Sequence, residues 1–147
     1  MAAITLRERA LAALARREYA RAELARKLAE YSDDAEQLQA LLDDLEQRDW
    51  LSDARYVEQL LHARQARDGS YKILTSLRQQ GIAEPLIKMA HQQLQTSEFA
   101  RAQRVWQKKF ACPPTDARER AQQMRFMLSR GFDLAVINRL FTTGTDE

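Results

Sequence analysis

At 147 residues the chain is long enough for one ordinary domain or a short array of repeats. With 4 Gly and 3 Pro it is too poor in turn-formers for a β-sandwich or barrel. Its 23 Lys and Arg face 21 Asp and Glu, and a net charge of +2 does not by itself announce a nucleic-acid binder. A single cysteine, Cys112, excludes an internal disulfide and a cysteine-built zinc site, and no apolar run approaches the roughly 20 residues of a membrane span, so a soluble cytoplasmic protein is expected.

Apolar residues recur at helical spacing in three successive segments. With Ser32, Gly81 and Gly131 as anchors, Leu24, Ile73 and Gln123 stand eight positions before, and Leu28, Leu77 and Met127 four before. Leu38, Ile87 and Ile137 stand six after, and Leu42, His91 and Phe141 ten after. Each segment reads as three helices. The first predicts helices over 5–17, 20–31 and 34–48. Asp33 or Asp34 can cap the third of these. Ser52 caps a helix over 53–67, Ser70 can cap one over 70–80, and a third runs over 83–95 with Pro85 in its first turn. The last segment gives 98–110, 116–130 and 133–141, with Thr115 and Asp133 as caps. The break Cys112-Pro113-Pro114 lies between its first two helices. Gly81 and Gly131 sit where a left-handed C-cap is wanted.

A lone short helix is marginal in water, whereas three can bury a shared core. The period therefore predicts an all-α protein: an elongated, curved array of three tandem three-helix repeats, at 1–51, 52–97 and 98–147. The competing packing is one compact nine-helix globule. Trp50-Leu51 and Leu94 are expected to cover the junctions. Charge is graded along the chain: residues 1–50 hold 8 basic and 11 acidic side chains, 51–97 hold 6 and 4, and 98–147 hold 9 and 6. An acidic start and a basic end can steer docking to an extended partner.

Catalysis finds little support. His62 and His91 are the only histidines, and His91 reads as a core-edge residue in the slot of Leu42 and Phe141. No metal-binding, phosphate-loop or nucleophile motif occurs. Asp43, Asp44 and Glu46 read as a solvated face, and Cys112 as a buried or incidental thiol. The cations say more. On 98–110, Phe99, Ala102, Trp106 and Phe110 share one face, and Arg101, Arg104 and Lys108 gather opposite. This stripe is either ordinary solvated charge or a surface for an anionic partner. On 53–67 the stripe Tyr56, Val57, Leu60, Leu61 continues through Arg64 and Arg67. Those arginines either pair across a junction, with an acidic group of the first unit, or meet a partner directly. With Lys72 and Arg78 they form a prospective basic ridge.

These residues carry a resemblance. The run Trp50-Leu51-Ser52-Asp53-Ala54-Arg55-Tyr56, followed by Arg64, Arg67, Gly69, Ile73, Leu77, Gly81 and Ile82, resembles the signature segment of RecX proteins. Glu23-Leu24 with Lys27-Leu28 resembles their first-unit motif. Phe126 to Phe132 with Ile137 and Leu140 resembles their C-terminal motif. Two positions depart: Ser32 stands where glycine is common, and Arg48-Asp49-Trp50 replaces a glycine–aromatic pair.

The resemblance implies an all-helical array of three three-helix units. Such a protein binds the RecA filament in its helical groove on single-stranded DNA. It inhibits recombinase, ATPase and co-protease activities, without catalysis, cofactor or metal of its own. A curved array gains affinity by touching several protomers, and a monomer fits groove insertion better than a dimer. Charge placement makes Arg64, Arg67, Lys72, Arg78, Arg101, Arg104 and Lys108 the candidate contacts to RecA and DNA. The alternatives are a stand-alone helical nucleic-acid-binding module, with 70–95 as a helix-turn-helix, and a generic adaptor for another protein.

Overall fold

A computed structural model describes residues 3–143, and among them there are nine α-helices and no strand. They are α1 Leu6–Arg16, α2 Arg21–Ala29, α3 Ala35–Gln47, α4 Asp53–Arg64, α5 Ser70–Gln79, α6 Glu84–Gln95, α7 Glu98–Phe110, α8 Ala117–Ser129 and α9 Leu134–Thr143. Local chemistry sets their starts. Thr5 and Glu8 form a reciprocal capping box on α1. Asp34 accepts from the Glu36 and Gln37 amides, both at 3.1 Å, and Ser52 accepts from Arg55 N at 3.2 Å. Asp133 does the same for Val136 N at 2.9 Å. Two expected caps move by one residue. α8 is capped by Asp116, which accepts from Glu119 N at 2.8 Å, and Thr115 donates to Glu119 instead. α5 has Gly69 at its cap position, and Ser70 is its first helical residue.

Three helices end in the same way. Asp49 (φ 61°), Gly81 (φ 74°) and Gly131 (φ 95°) are left-handed residues just past α3, α5 and α8. Each time the following amide reaches back to the carbonyl five residues earlier: Trp50 to Leu45, Ile82 to Leu77, Phe132 to Met127. Aspartate tolerates this conformation better than most residues, so the missing glycine of the first unit does not break the turn. At Ser32 the chain does otherwise. Tyr31 N and Ser32 N bond to Leu28 O and Ala29 O in a three-residue turn with no positive φ.

Apolar side chains collect in three clusters rather than one. Ala10, Tyr19, Leu24, Leu28, Leu42, Leu45 and Leu51 fill the core of α1–α3. Tyr56, Val57, Leu61, Ile73, Leu77, Ile87 and Leu94 fill that of α4–α6. Ala102, Trp106, Met127, Phe132, Ile137, Leu140 and Phe141 fill that of α7–α9. Leu51 and Leu94 are buried as expected, whereas Trp50 is exposed, with Arg7 and Arg48 over its ring. His91 is also a correction. α6 turns Ile87, Ala90 and Leu94 inward, and this rotation leaves His91 outside, hydrogen-bonded to Gln95.

The clusters are joined by one device used twice. The first amide of α2, Arg21 N, donates to Asp53, the first residue of α4, at 2.7 Å. The first amide of α5, Ser70 N, donates to Glu98, the first residue of α7, at 3.0 Å. In each case a carboxylate of the following helix trio meets the positive end of a middle helix. That middle helix then rests on the glycine after the next middle helix: Ala22 against Gly81, and Lys72 against Gly131. Ser32 takes no positive φ, so its backbone does not require a glycine. The first joint is completed by Ala20, which belongs to the second core, and by Arg55 bonded to Glu18 and Asp49. The Glu18 hydrogen bond, with that to Asp49, holds the Arg55 pKa above its ordinary value despite some desolvation.

The link after α7 carries strain. Ala111 has φ 68° and ψ −33°, and Cys112 N bonds to Phe110 O at 2.8 Å across it, a γ-turn with positive φ. Ala111 and Cys112 are both exposed, so Cys112 is not a buried thiol. Ala111→Gly is expected to stabilise the chain by about 1 kcal/mol, the relieved strain outweighing the freer unfolded backbone. A urea denaturation midpoint that stays or falls would contradict this.

Candidate nucleic-acid interface

The joint between the second and third helix trios is built around Arg101, which is 5% exposed. All five guanidinium hydrogens find acceptors. Nε donates to Ser97 Oγ at 2.9 Å. Nη1 donates to Gln65 O at 2.9 Å and to Asp68 O at 2.8 Å. Nη2 donates to Leu94 O at 3.3 Å and to Glu98 Oε2. Gln65 is the residue that ends α4, and Leu94 lies in the last turn of α6. Arg101 therefore binds the negative ends of two helices while its partner Glu98 holds the positive end of α5. The sequence placed Arg101 on a solvated face with Arg104 and Lys108. The structure corrects that: the carbonyl ends of α4 and α6 cover this side of the first turn of α7 and leave the later turns open.

Asp68, 3% exposed, lies beside this hub. Arg64 Nε donates to its Oδ2 at 2.9 Å. Lys72 Nζ approaches Oδ1 to 3.9 Å, and Arg130 Nη1 approaches the same oxygen to 4.0 Å. Arg64 also donates to Ser76 Oγ at 2.7 Å. Its ion pair is thus formed within its own trio, not with an acid of the first unit. α4 ends at Arg64, where Arg67 N and Asp68 N both turn back to Arg64 O. Arg67 consequently leaves the apolar stripe and reaches solvent. Arg78 is remote from this cluster. It meets Glu84 at 3.6 Å beside Pro85, Lys88 and His91, so the expected ridge is not continuous.

Next to the hub an open groove of about 410 Å³ runs between the two trios. Its walls carry Arg67, Arg104, Lys108, Lys109 and Arg130, its floor is Ala66, Val105 and Phe126, and no carboxylate lines it. Lys109 and Arg130 lie over the Phe126 ring at 5.4 and 5.3 Å. Arg67, Arg104 and Lys108 make no ion pair among the described residues. Two stripes that were separate in the sequence, one on each side of the joint, thus contribute to one site. Sequence reasoning missed Lys109, adjacent to Lys108, and Arg130, inside a motif noted for its glycine. It also missed Glu98 and Asp68, although a Glu at the first position of a helix, three residues before an Arg, is a visible signal. A groove of five cations over an apolar floor can bind a run of phosphates and cover part of the sugar or base between them.

The chain is similar to known proteins in sequence and in fold. Residues 96–141 match the family model described as RecX, third three-helix domain. The regulatory protein RecX of Ralstonia nicotianae is 43% identical over 92 residues, which cover 63% of this chain and 58% of that protein. That of Ralstonia pickettii is 41% identical over 99 residues, covering 67% and 62%. Over about two thirds of its length the chain is thus similar to RecX regulatory proteins. It spans about three fifths of the length of these curated relatives. The fold agrees: a crystal structure of RecX from Lactobacillus salivarius superposes with a TM-score of 0.79 over 94% of this chain and 93% of that one, at 15% identity. Another crystal structure, of regulatory protein RecX, gives 0.79 over 97% and 72%, at 21% identity. The helical-repeat architecture is therefore common to RecX chains of widely different sequence. Among the described residues no helix is long and apolar enough to cross a membrane.

Proposed function

We propose that this RecX-like chain is a regulator that binds the RecA filament on single-stranded DNA and restrains its recombinase, ATPase and co-protease activities. It acts as a monomer in the cytoplasm, by occupancy and not by catalysis. The three units, 1–51, 52–97 and 98–147, lie along the filament, and the groove between the second and third meets DNA phosphate. The observation that carries this reading is the groove itself: five cations from both sides of a joint, with no carboxylate among them. Arg67, Arg104 and Lys108 make the direct contacts, with Lys109 and Arg130. Arg64 and Arg101 set the shape of the joint, Lys72 stands half-exposed at its edge, and Arg78 stands outside it.

The test is RecA-driven strand exchange with the protein titrated in, alongside a salt titration of its binding to the filament. The wild-type chain is expected to inhibit at stoichiometries that coat the filament. Arg104→Glu with Lys108→Glu is expected to weaken binding at least tenfold at moderate salt. It should also lower the slope of log affinity against log salt by about two, one unit per phosphate contact removed. An absence of inhibition by the wild-type chain overturns the regulatory role. An unchanged slope in the variant removes DNA from the groove.

A further inference from the structure

Beyond the groove, the same joint carries an aromatic side chain that nothing in the fold uses. Tyr71, the second residue of α5, is 72% exposed. The other exposed aromatics are occupied: Arg9 lies 3.8 Å from the centre of the Tyr31 ring, and Trp50 has Arg7 and Arg48 over it. Among the described residues no cation and no ring covers Tyr71. Its backbone is nevertheless firmly placed, because Tyr71 N donates to Gly131 O at 3.1 Å. Leu128, also exposed, lines the same cavity of about 320 Å³, together with Arg64, Lys72 and Thr75. A large open ring on a fixed backbone, beside an exposed leucine, leaves a flat apolar face free to receive a planar group.

The cations decide which partner. Lys72 lines the Tyr71 cavity and Arg130 lines the groove, yet both reach the same oxygen of Asp68, at 3.9 and 4.0 Å. The two charges are therefore neighbours, and the cationic track runs from Lys108 and Arg104 through Arg67 and Arg130 to Lys72, ending beside the open ring. We propose that Tyr71 is a stacking platform for an unpaired base of a nucleic-acid strand whose phosphates follow this track. Aromatic rings beside phosphate-binding cations favour single strands, because a duplex keeps its bases covered by each other. The inference rests on the phosphate-binding reading of the groove given above and adds to it a base subsite. Through that subsite the chain prefers single-stranded over double-stranded nucleic acid without any other protein.

The experiment uses the full chain and two probes of equal length, oligothymidylate and an abasic oligomer with the same phosphates. Tyr71→Ala is expected to weaken oligothymidylate binding about tenfold and leave abasic binding unchanged, and Tyr71→Phe to bind both as the wild type does. Arg104→Glu with Lys108→Glu is expected to weaken both probes alike. If that charge-reversed variant binds both normally, the groove reading fails. If it weakens both but Tyr71→Ala affects neither, or affects both equally, the base subsite fails and the groove stands. A Tyr71→Ala variant that binds oligothymidylate normally but no longer restrains strand exchange assigns the ring to a protein surface and overturns the proposal. Matching denaturation midpoints for the Tyr71 variants exclude a folding defect.

Discussion

Arg101→Met is expected to destabilise the folded chain by about 3–5 kcal/mol in urea denaturation. This is the range found when one partner of a buried ion pair is removed. The side chain is 5% exposed and its five hydrogens bond Ser97, Gln65, Asp68, Leu94 and Glu98. Methionine fills most of the space but leaves three carbonyls and a carboxylate without their donor. The largest part of the loss comes from Glu98, itself 3% exposed and now an unneutralised charge. Adding Glu98→Gln should therefore recover at least about 1 kcal/mol, since the amide oxygen can still accept from Ser70 N while the buried charge disappears. A loss below about 1 kcal/mol for the single variant would mean that water replaces the arginine, and the hub would not be what holds the joint. There is also a functional consequence at a distance. Arg101 grips Gln65 O and Asp68 O, the two carbonyls that flank Ala66 and Arg67 in the chain. Loosening it releases Arg67 from its position opposite Arg104 and Lys108. Phosphate binding per folded molecule should fall, although Arg101 touches no phosphate.

This residue also shows where sequence reading stops. The helix limits were largely legible: 98–110 is found as expected, and 70–80 ends at Gln79. Periodicity and caps are local signals, and the four-residue steps of Leu24, Leu28 and Ile73, Leu77 survive in the fold because each trio has its own core. The same period gave the helical-repeat architecture. Which charges stand free is not a local property. Arg101 and Arg104 differ by one helical turn and read alike on a helical wheel. Only the packing of α4 and α6 against the start of α7 covers the first and leaves the second. Arg67 shows the reverse: a helix continued through it would bury it, but α4 stops at Arg64. The groove was half legible for this reason. Its residues were present in two stripes, and the joint that unites them was not.

Departures from the family pattern find a physical explanation in the repeated docking. Gly81 and Gly131 must satisfy two conditions together, a left-handed backbone and room for the start of the preceding middle helix. Ser32 does not meet the first condition, because α2 ends without a positive φ. Asp49 meets only the first. It takes φ 61° after α3, and its Oδ1 and carbonyl oxygen accept from Arg55 at 3.0 and 2.7 Å. Glycine thus stands where the start of a middle helix docks on a left-handed turn, and is dispensable where a helix merely ends.

Gly69→Ala tests that contact most severely, although its φ of −79° suits any residue. A Cβ at position 69 would lie 2.3 Å from the carbonyl carbon of Gly131 and 2.4 Å from both Gly131 O and Phe132 N. All three are backbone atoms, so no rotamer change relieves the clash. The start of α5 must withdraw, which removes the 2.6 Å bond from Gly69 N to Arg130 O and the bond from Tyr71 N to Gly131 O. It also draws Ser70 away from Glu98. The expected cost is about 3 kcal/mol or more, from overpacking together with lost helix-end hydrogen bonds. Gly81→Ala is the control. There the nearest atom is the Ala22 Cβ at 3.1 Å, and the cost is mainly the positive φ, about 1–2 kcal/mol. Hydrogen exchange separates the two variants further. Gly69→Ala should expose the Tyr71 amide while Trp106 and Met127 stay protected in their own core, whereas Gly81→Ala should leave Tyr71 protected. Equal costs for the two substitutions would refute the view that the second joint is a backbone-to-backbone contact on which the groove depends.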